Sequence, residues 1–106
     1  MSLLPLLVTP SRDGDVETLT LAGEIDLSTS HLLVDAIDRA VAEGASTVVL
    51  DFAEVGFVNS TGLGAMVAAT KRLRNGGGDL VLRHFRGIPA TALATTGLDR
   101  FFTIDS

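Results

Sequence analysis

The chain has 106 residues. A single domain of this size buries roughly 65% of its unfolded surface, enough for a core without staples. It contains no Cys, which excludes disulfides, thiolate metal sites and a Cys nucleophile and suits a reducing compartment. A formal net charge of -5 and the absence of Trp and Tyr argue against nucleic acid as a partner, which needs a basic face and stacking platforms.

The N-terminal stretch Met1-Ser2-Leu3-Leu4-Pro5-Leu6-Leu7-Val8 is apolar but brief. Without a positive flank or an Ala-x-Ala site it does not read as a signal peptide, and no apolar run approaches the ~18 residues of a membrane span. It reads as a first strand over residues 3–8, short or at an edge because Pro5 lacks a ladder donor. Asp13-Gly14-Asp15 is a turn signal. After it, Val16, Thr18 and Thr20 alternate with Glu17, Leu19 and Leu21, the pattern of a half-buried strand, so the two strands are expected to form a hairpin. Gly23-Glu24-Ile25-Asp26 then leads into Ser28, Thr29 and Ser30, candidate N-caps for a helix whose inner face is Leu33, Ile37, Ala40 and Val41. Gly44 stops it.

Thr47 to Phe52 is a near-continuous, β-branched run suited to a central strand, and Val55 to Val58 is a second short apolar piece. A second helix is expected from near Thr61 to about Arg74, with Leu63, Met66, Val67, Thr70 and Leu73 inside and Lys71, Arg72 and Arg74 complementing the dipole at its end. Ala65, Ala68 and Ala69 would leave its outer face nearly featureless. Gly76-Gly77-Gly78 reads as a C-cap, not as a phosphate loop, since no Gly-Lys-Ser/Thr follows. Leu80-Val81-Leu82 is a strand, Ile88 to Thr96 a short helix with Pro89 in its first turn, and Phe101 to Ile104 a last strand. The order β-β-α-β-α-β-α-β predicts an α/β fold, a mixed sheet packed against helices in one domain over residues 1–106.

The segment Val58-Asn59-Ser60-Thr61-Gly62-Leu63-Gly64 hands a strand over to a helix. A helix start carries free N–H groups and about half a positive charge, so a hydroxyl there can accept a phosphoryl group whose oxygens meet the amides of Gly62, Leu63 and Gly64. Gly62 and Gly64 would also let a partner approach the backbone closely. Asn-Ser-Thr-Gly is equally an ordinary N-cap sequence: Asn59 suits a cap or turn, and capping by Ser60 or Thr61 can coexist with an acceptor role. Asp26 reads either as a turn or dipole partner or as part of a binding site.

Three segments resemble the anti-sigma factor antagonist (STAS domain) family: Gly23-Glu24-Ile25-Asp26, the loop at 59–64, and Thr96-Gly97-Leu98-Asp99 followed by Phe102 and Ile104. The resemblance implies a non-enzymatic, cofactor-free cytoplasmic regulator of transcription. It would bind an anti-sigma factor, a serine kinase with the histidine-kinase-like ATPase fold, and so free a sigma factor. It implies phosphorylation of Ser60, with Thr61 as the alternative, release of the partner, and a phosphatase that reverses the mark. The binding surface it implies is Asp26, Asn59, Ser60, Thr61, Gly62, Leu63 and Gly64, with the 24–28 loop beside the acceptor loop. The family usually has Asp where this chain has Asn59, which removes a charge that would repel a phosphate. The alternative is a STAS-type subunit of a transporter-associated or stressosome-like assembly without phosphorylation switching. His31 and His84 have no companion ligand at metal-site spacing, and no Gly-x-Ser-x-Gly elbow surrounds Ser60, so neither a metal nor a catalytic role is expected.

Overall fold

The computed structural model describes residues 6–105. The elements follow in the order β1 (Leu7–Asp13), β2 (Val16–Ile25), α1 (Ser30–Ala42), β3 (Thr47–Val58), α2 (Ser60–Asn75), β4 (Asp79–Arg83), α3 (Ile88–Thr96), a 3-10 turn (Leu98–Arg100) and β5 (Thr103–Asp105). The five strands lie side by side in sequence order. Only the β1–β2 hairpin is antiparallel; β2 to β5 are parallel neighbours. This is the expected α/β domain with a mixed sheet.

Strands β1, β3 and β5 differ from the sequence reading. The expected first strand, 3–8, starts four and ends five residues before the observed Leu7–Asp13, and its residues 3–5 fall outside the described residues. The ladder instead runs through the polar stretch Thr9-Pro10-Ser11-Arg12 to a two-residue turn at Gly14-Asp15. Pairing with β2, rather than hydrophobic alternation, dictates β1: most of it is exposed, and Pro10 is tolerated because the strand is an edge. Arg12 bonds Glu17 at 2.6 Å and the Ala40 and Glu43 carbonyls at 3.3 Å, clamping the hairpin to the C-terminus of α1.

The two apolar pieces at 47–52 and 55–58 are one strand. Thr20 pairs with Asp51 but Ala22 with Glu54; Gly23 pairs with Val55 but Glu24 with Phe57. Each shift inserts one extra residue into β3 and reverses its in–out alternation. Val48, Leu50 and Phe52 are therefore buried, then Val55, then Val58. The Asp51 carboxylate accepts the Ala53 amide at 3.0 Å and holds the first bulge.

The core joins Leu19, Leu21 and Ile25 of β2 to Leu33, Ile37 and Ala40 of α1 and Leu63, Met66, Ala69 and Leu73 of α2. Val41 turns outward, and Ala69, expected on the outer face of α2, is fully inside; Ala65 is half-buried and Ala68 exposed. Arg72 pairs with Asp38 across the two helices, and Arg74 reaches Asp79 at 2.9 Å, so these cations tie elements together instead of being merely solvated. The chain leaves α2 through Gly78, where an added Cβ would lie 1.7 Å from the Ser46 carbonyl oxygen. The last strand begins two residues later than expected, because Phe101 and Phe102 turn against the core and each other instead of extending.

Candidate functional site

Parallel pairing of β2 with β3 brings their C-terminal ends to one edge of the sheet, the edge where open α/β folds place functional loops. Ile25 pairs with Val58, and the Asn59 amide continues the ladder by donating to the Ile25 carbonyl at 3.0 Å. The turn after Ile25 and the helix start after Asn59 are thus neighbours, as the sequence reading expected of the loops at 24–28 and 59–64.

The helix α2 is capped by Asn59, not by Ser60 or Thr61. The Asn59 side-chain oxygen accepts the Gly62 amide at 3.0 Å, and its carbonyl accepts the Leu63 amide at 3.0 Å. Asn59 has the extended backbone an N-cap needs, so the exchange of a usual Asp for Asn leaves the cap in place. Ser60 and Thr61 follow as the first two helical residues, and both are exposed. The amides of Gly62 and Leu63 are consumed by the cap, so a phosphoryl group would not meet them as the sequence reading proposed. In the first turn, Ser60 and Thr61 themselves carry the amides that have no intrahelical acceptor.

Gly62 and Leu63 belong to the foundation of this surface. A Cβ on Gly62 would stand 2.5 Å from Ile25 Cγ2 and 3.2 Å from Val58 Cγ1, so glycine is what lets α2 begin directly against β2. Leu63 is a core residue, 5% exposed. Gly64 is exposed, and nothing lies within 4 Å of the place its Cβ would occupy.

Asp26 is devoted to its own turn. Its Oδ1 accepts the Ser28 amide at 2.9 Å, the Ser28 hydroxyl at 2.8 Å and the Thr29 amide at 3.1 Å. The Thr29 hydroxyl donates to the Glu24 carbonyl at 2.7 Å and accepts the Asp26 amide at 2.9 Å. Ser28 and Thr29 are therefore not side-chain caps of α1; Thr29 occupies the N-cap position but makes no capping bond. The Ser28 hydroxyl, opposed by partial burial and helped by the Ser28 amide and both Thr29 donors, holds the Asp26 carboxyl below the ordinary carboxylate range.

Two residues at this edge escaped the sequence reading. Leu27, at the tip of the Asp26 turn, is 77% exposed, and Phe57, in register with Glu24, is 41% exposed. A large apolar residue between Asp26 and Ser28, in a turn otherwise polar, was the available signal. Phe57 could not be placed, since its outward direction depends on the second bulge.

A second polar cluster lies at the end of β4. His84 has the left-handed φ of 54° and its Nδ1 lies 2.9 Å from Asp51 Oδ1. Burial alone would raise the Asp51 carboxyl, but the bonds from His84 and the Ala53 amide, with the charges of His84 and Arg83, hold it below its usual value. The pair fixes the turn from β4 toward α3. The groove between the hairpin and α1, about 360 Å³, is walled by Leu6, Val8, Leu19 and Leu32 with Glu17 at its floor. That carboxylate already bonds Arg12.

The model of the STAS domain family matches residues 8–106. The chain is 34% identical over 68 residues to the anti-sigma-F factor antagonist RsfB of Mycobacterium tuberculosis, a match covering 64% of this chain and 56% of that protein. It thus spans little more than half the length of that relative. It is 35% identical over 88 residues to the anti-sigma-B factor antagonist of Listeria monocytogenes, covering 78% of this chain and 77% of that one. Among solved structures, an anti-sigma factor antagonist from Mycobacterium paratuberculosis superposes with a TM-score of 0.83 at 25% identity, over 93% of this chain and 84% of the other.

Proposed function

The chain belongs to the STAS domain family, and on that footing we propose that it is an anti-sigma factor antagonist whose hold on its partner is released by phosphorylation of Ser60. The partner is an anti-sigma factor with a serine-kinase ATPase fold, and its sequestration frees a sigma factor. The observation that carries this reading is the division of labour at the start of α2: Asn59 performs the cap, so the Ser60 hydroxyl stands exposed at the helix mouth. Both relatives described above bear the name of anti-sigma factor antagonist.

In the transfer, Ser60 Oγ attacks the γ-phosphorus of ATP, the bond to ADP breaks, and the hydroxyl proton passes to a base on the kinase. A phosphatase restores the hydroxyl by delivering water and releasing inorganic phosphate. Phosphorylation adds about -1.5 to -2 charges and three acceptor oxygens. The helix dipole and the Ser60 and Thr61 amides make that group tolerable in the free protein. In a closely packed interface it must be desolvated, and a coupling of roughly 3 kcal/mol weakens binding about a hundredfold. The use of ATP by the partner places the protein in the cytoplasm. Among the described residues no helix is long and apolar enough to cross a membrane.

The test is incubation with ATP and a kinase-type anti-sigma factor from the same genome, read by intact mass. Wild type is expected to gain one phosphoryl group and Ser60→Ala none. A wild-type chain that binds the kinase but gains no mass overturns the switch. Gain on Ser60→Ala moves the acceptor to Thr61 or elsewhere.

A further inference from the structure

We propose that Leu27 is the apolar anchor of the partner interface and that Asp26 is a positioning residue that holds it there. This rests on the reading of the protein as an anti-sigma factor antagonist. A lone exposed Leu carries little meaning, but here three further observations bear on it. The turn that displays Leu27 is fixed: one carboxylate oxygen gathers the Ser28 amide, the Ser28 hydroxyl and the Thr29 amide, and the Thr29 hydroxyl ties the turn back to the Glu24 carbonyl. A side chain presented by so constrained a backbone loses less freedom on binding, which favours affinity.

The second observation is continuity. The Asn59 amide bonds the Ile25 carbonyl, one residue before Asp26, so Leu27 stands on the same edge as Ser60. Phe57, 41% exposed and in register with Glu24, is a second exposed apolar residue near the ends of β2 and β3. The third is charge. Segments 24–28 and 53–64 contain Glu24, Asp26 and Glu54 and no Lys or Arg. Asp26 is committed to its own turn, and among the described residues Glu24 and Glu54 form no ion pair.

The complementary surface on the anti-sigma factor is therefore an apolar pocket that admits a leucine side chain, with a cation at its margin opposite Glu24 and Glu54. Aliphatic side chains are not the commonest interface hot spots, but one that fills a desolvated central pocket can dominate. The phosphoryl group of Ser60 then adds charge beside an apolar seat, beyond what a marginal cation offsets.

The experiment is titration calorimetry of the full chain with the same kinase-type anti-sigma factor, alongside thermal unfolding of each variant. Leu27→Ala is expected to weaken binding about thirtyfold without lowering Tm, and Leu27→Met to restore most of it. Asp26→Ala is expected to weaken binding about tenfold in the wild-type background, but less than twofold in the Leu27→Ala background, since its effect runs through Leu27. Wild-type binding with Leu27→Ala unchanged overturns the anchor alone. A tenfold loss from Asp26→Ala in both backgrounds overturns the positioning role and makes Asp26 a direct contact. Absence of wild-type binding overturns the antagonist reading, and the anchor with it.

Discussion

The starts of α1 and α2 lie side by side at one sheet edge, and Ser and Thr residues cluster at both, yet the two are built in opposite ways. Before α1, the Ser28 and Thr29 hydroxyls are spent within the turn. Ser28 binds Asp26, Thr29 bridges Glu24 and Asp26, and Thr29 and Ser30 are buried at 5% and 9% exposure. Before α2, one amide side chain does the capping and the two hydroxyls that follow remain outside. The same residue types make a lock in one place and leave an open acceptor in the other. The deciding factor is whether a hydroxyl is already spent on its own turn, as before α1, or left free because an amide side chain makes the cap, as at α2.

Breaking the lock should have the largest effect. Thr29→Val keeps the shape but leaves the Glu24 carbonyl and the Asp26 amide without their partner, and is expected to cost about 2–3 kcal/mol in urea unfolding. The close approach behind the open site comes next. Gly62→Ala drives a methyl into Ile25, and after the helix-propensity gain of Ala the net loss is about 1–2 kcal/mol; an equal or higher urea midpoint would show that Ile25 yields freely. Asn59→Ala removes the α2 cap for about 1 kcal/mol, while Asn59→Asp should keep it.

Acid separates the two starts without mutation. Asp26 is held below its ordinary value, so as pH falls the opened turn binds a proton before the closed one does. The stabilisation is complete above the unfolded carboxyl value near pH 4 and disappears as pH drops through the folded value. The α2 cap is an uncharged amide and has no such dependence. Hydrogen-exchange protection factors of the Ser28 and Thr29 amides should therefore fall between about pH 5 and pH 3 relative to that of Gly62. Parallel loss at all three sites would mean that global unfolding, not the Asp26 turn, is being read. The smallest effect belongs to Ser60→Ala, within about 0.5 kcal/mol of wild type because the hydroxyl supports no cap. A larger loss would return Ser60 to a structural role.

Much of this architecture was legible from local pattern. The alternation over Val16–Leu21 gave β2 as a half-buried strand, the spacing of Leu63, Met66, Thr70 and Leu73 gave the buried face of α2, and α3 begins and ends where Pro89 and Gly97 suggest. The proximity of the 24–28 and 59–64 segments was foreseen from family resemblance and is realised by parallel pairing of β2 with β3. Less legible were β1, whose polar sequence extends only because a neighbour offers a ladder, and Phe57, whose direction is set by bulges.

What the 106 residues determined unaided was periodicity and chemistry: the order of strands and helices, and that two hydroxyls fall where a strand becomes a helix. Such features are encoded within about ten neighbouring residues and survive changes in surroundings. The tertiary structure alone decided that Asn59 and not Ser60 or Thr61 caps, that Gly62 packs directly against Ile25 and that Leu27 is displayed. These outcomes depend on groups brought together from distant parts of the chain, where a shift of one residue in register reverses which side chains face water.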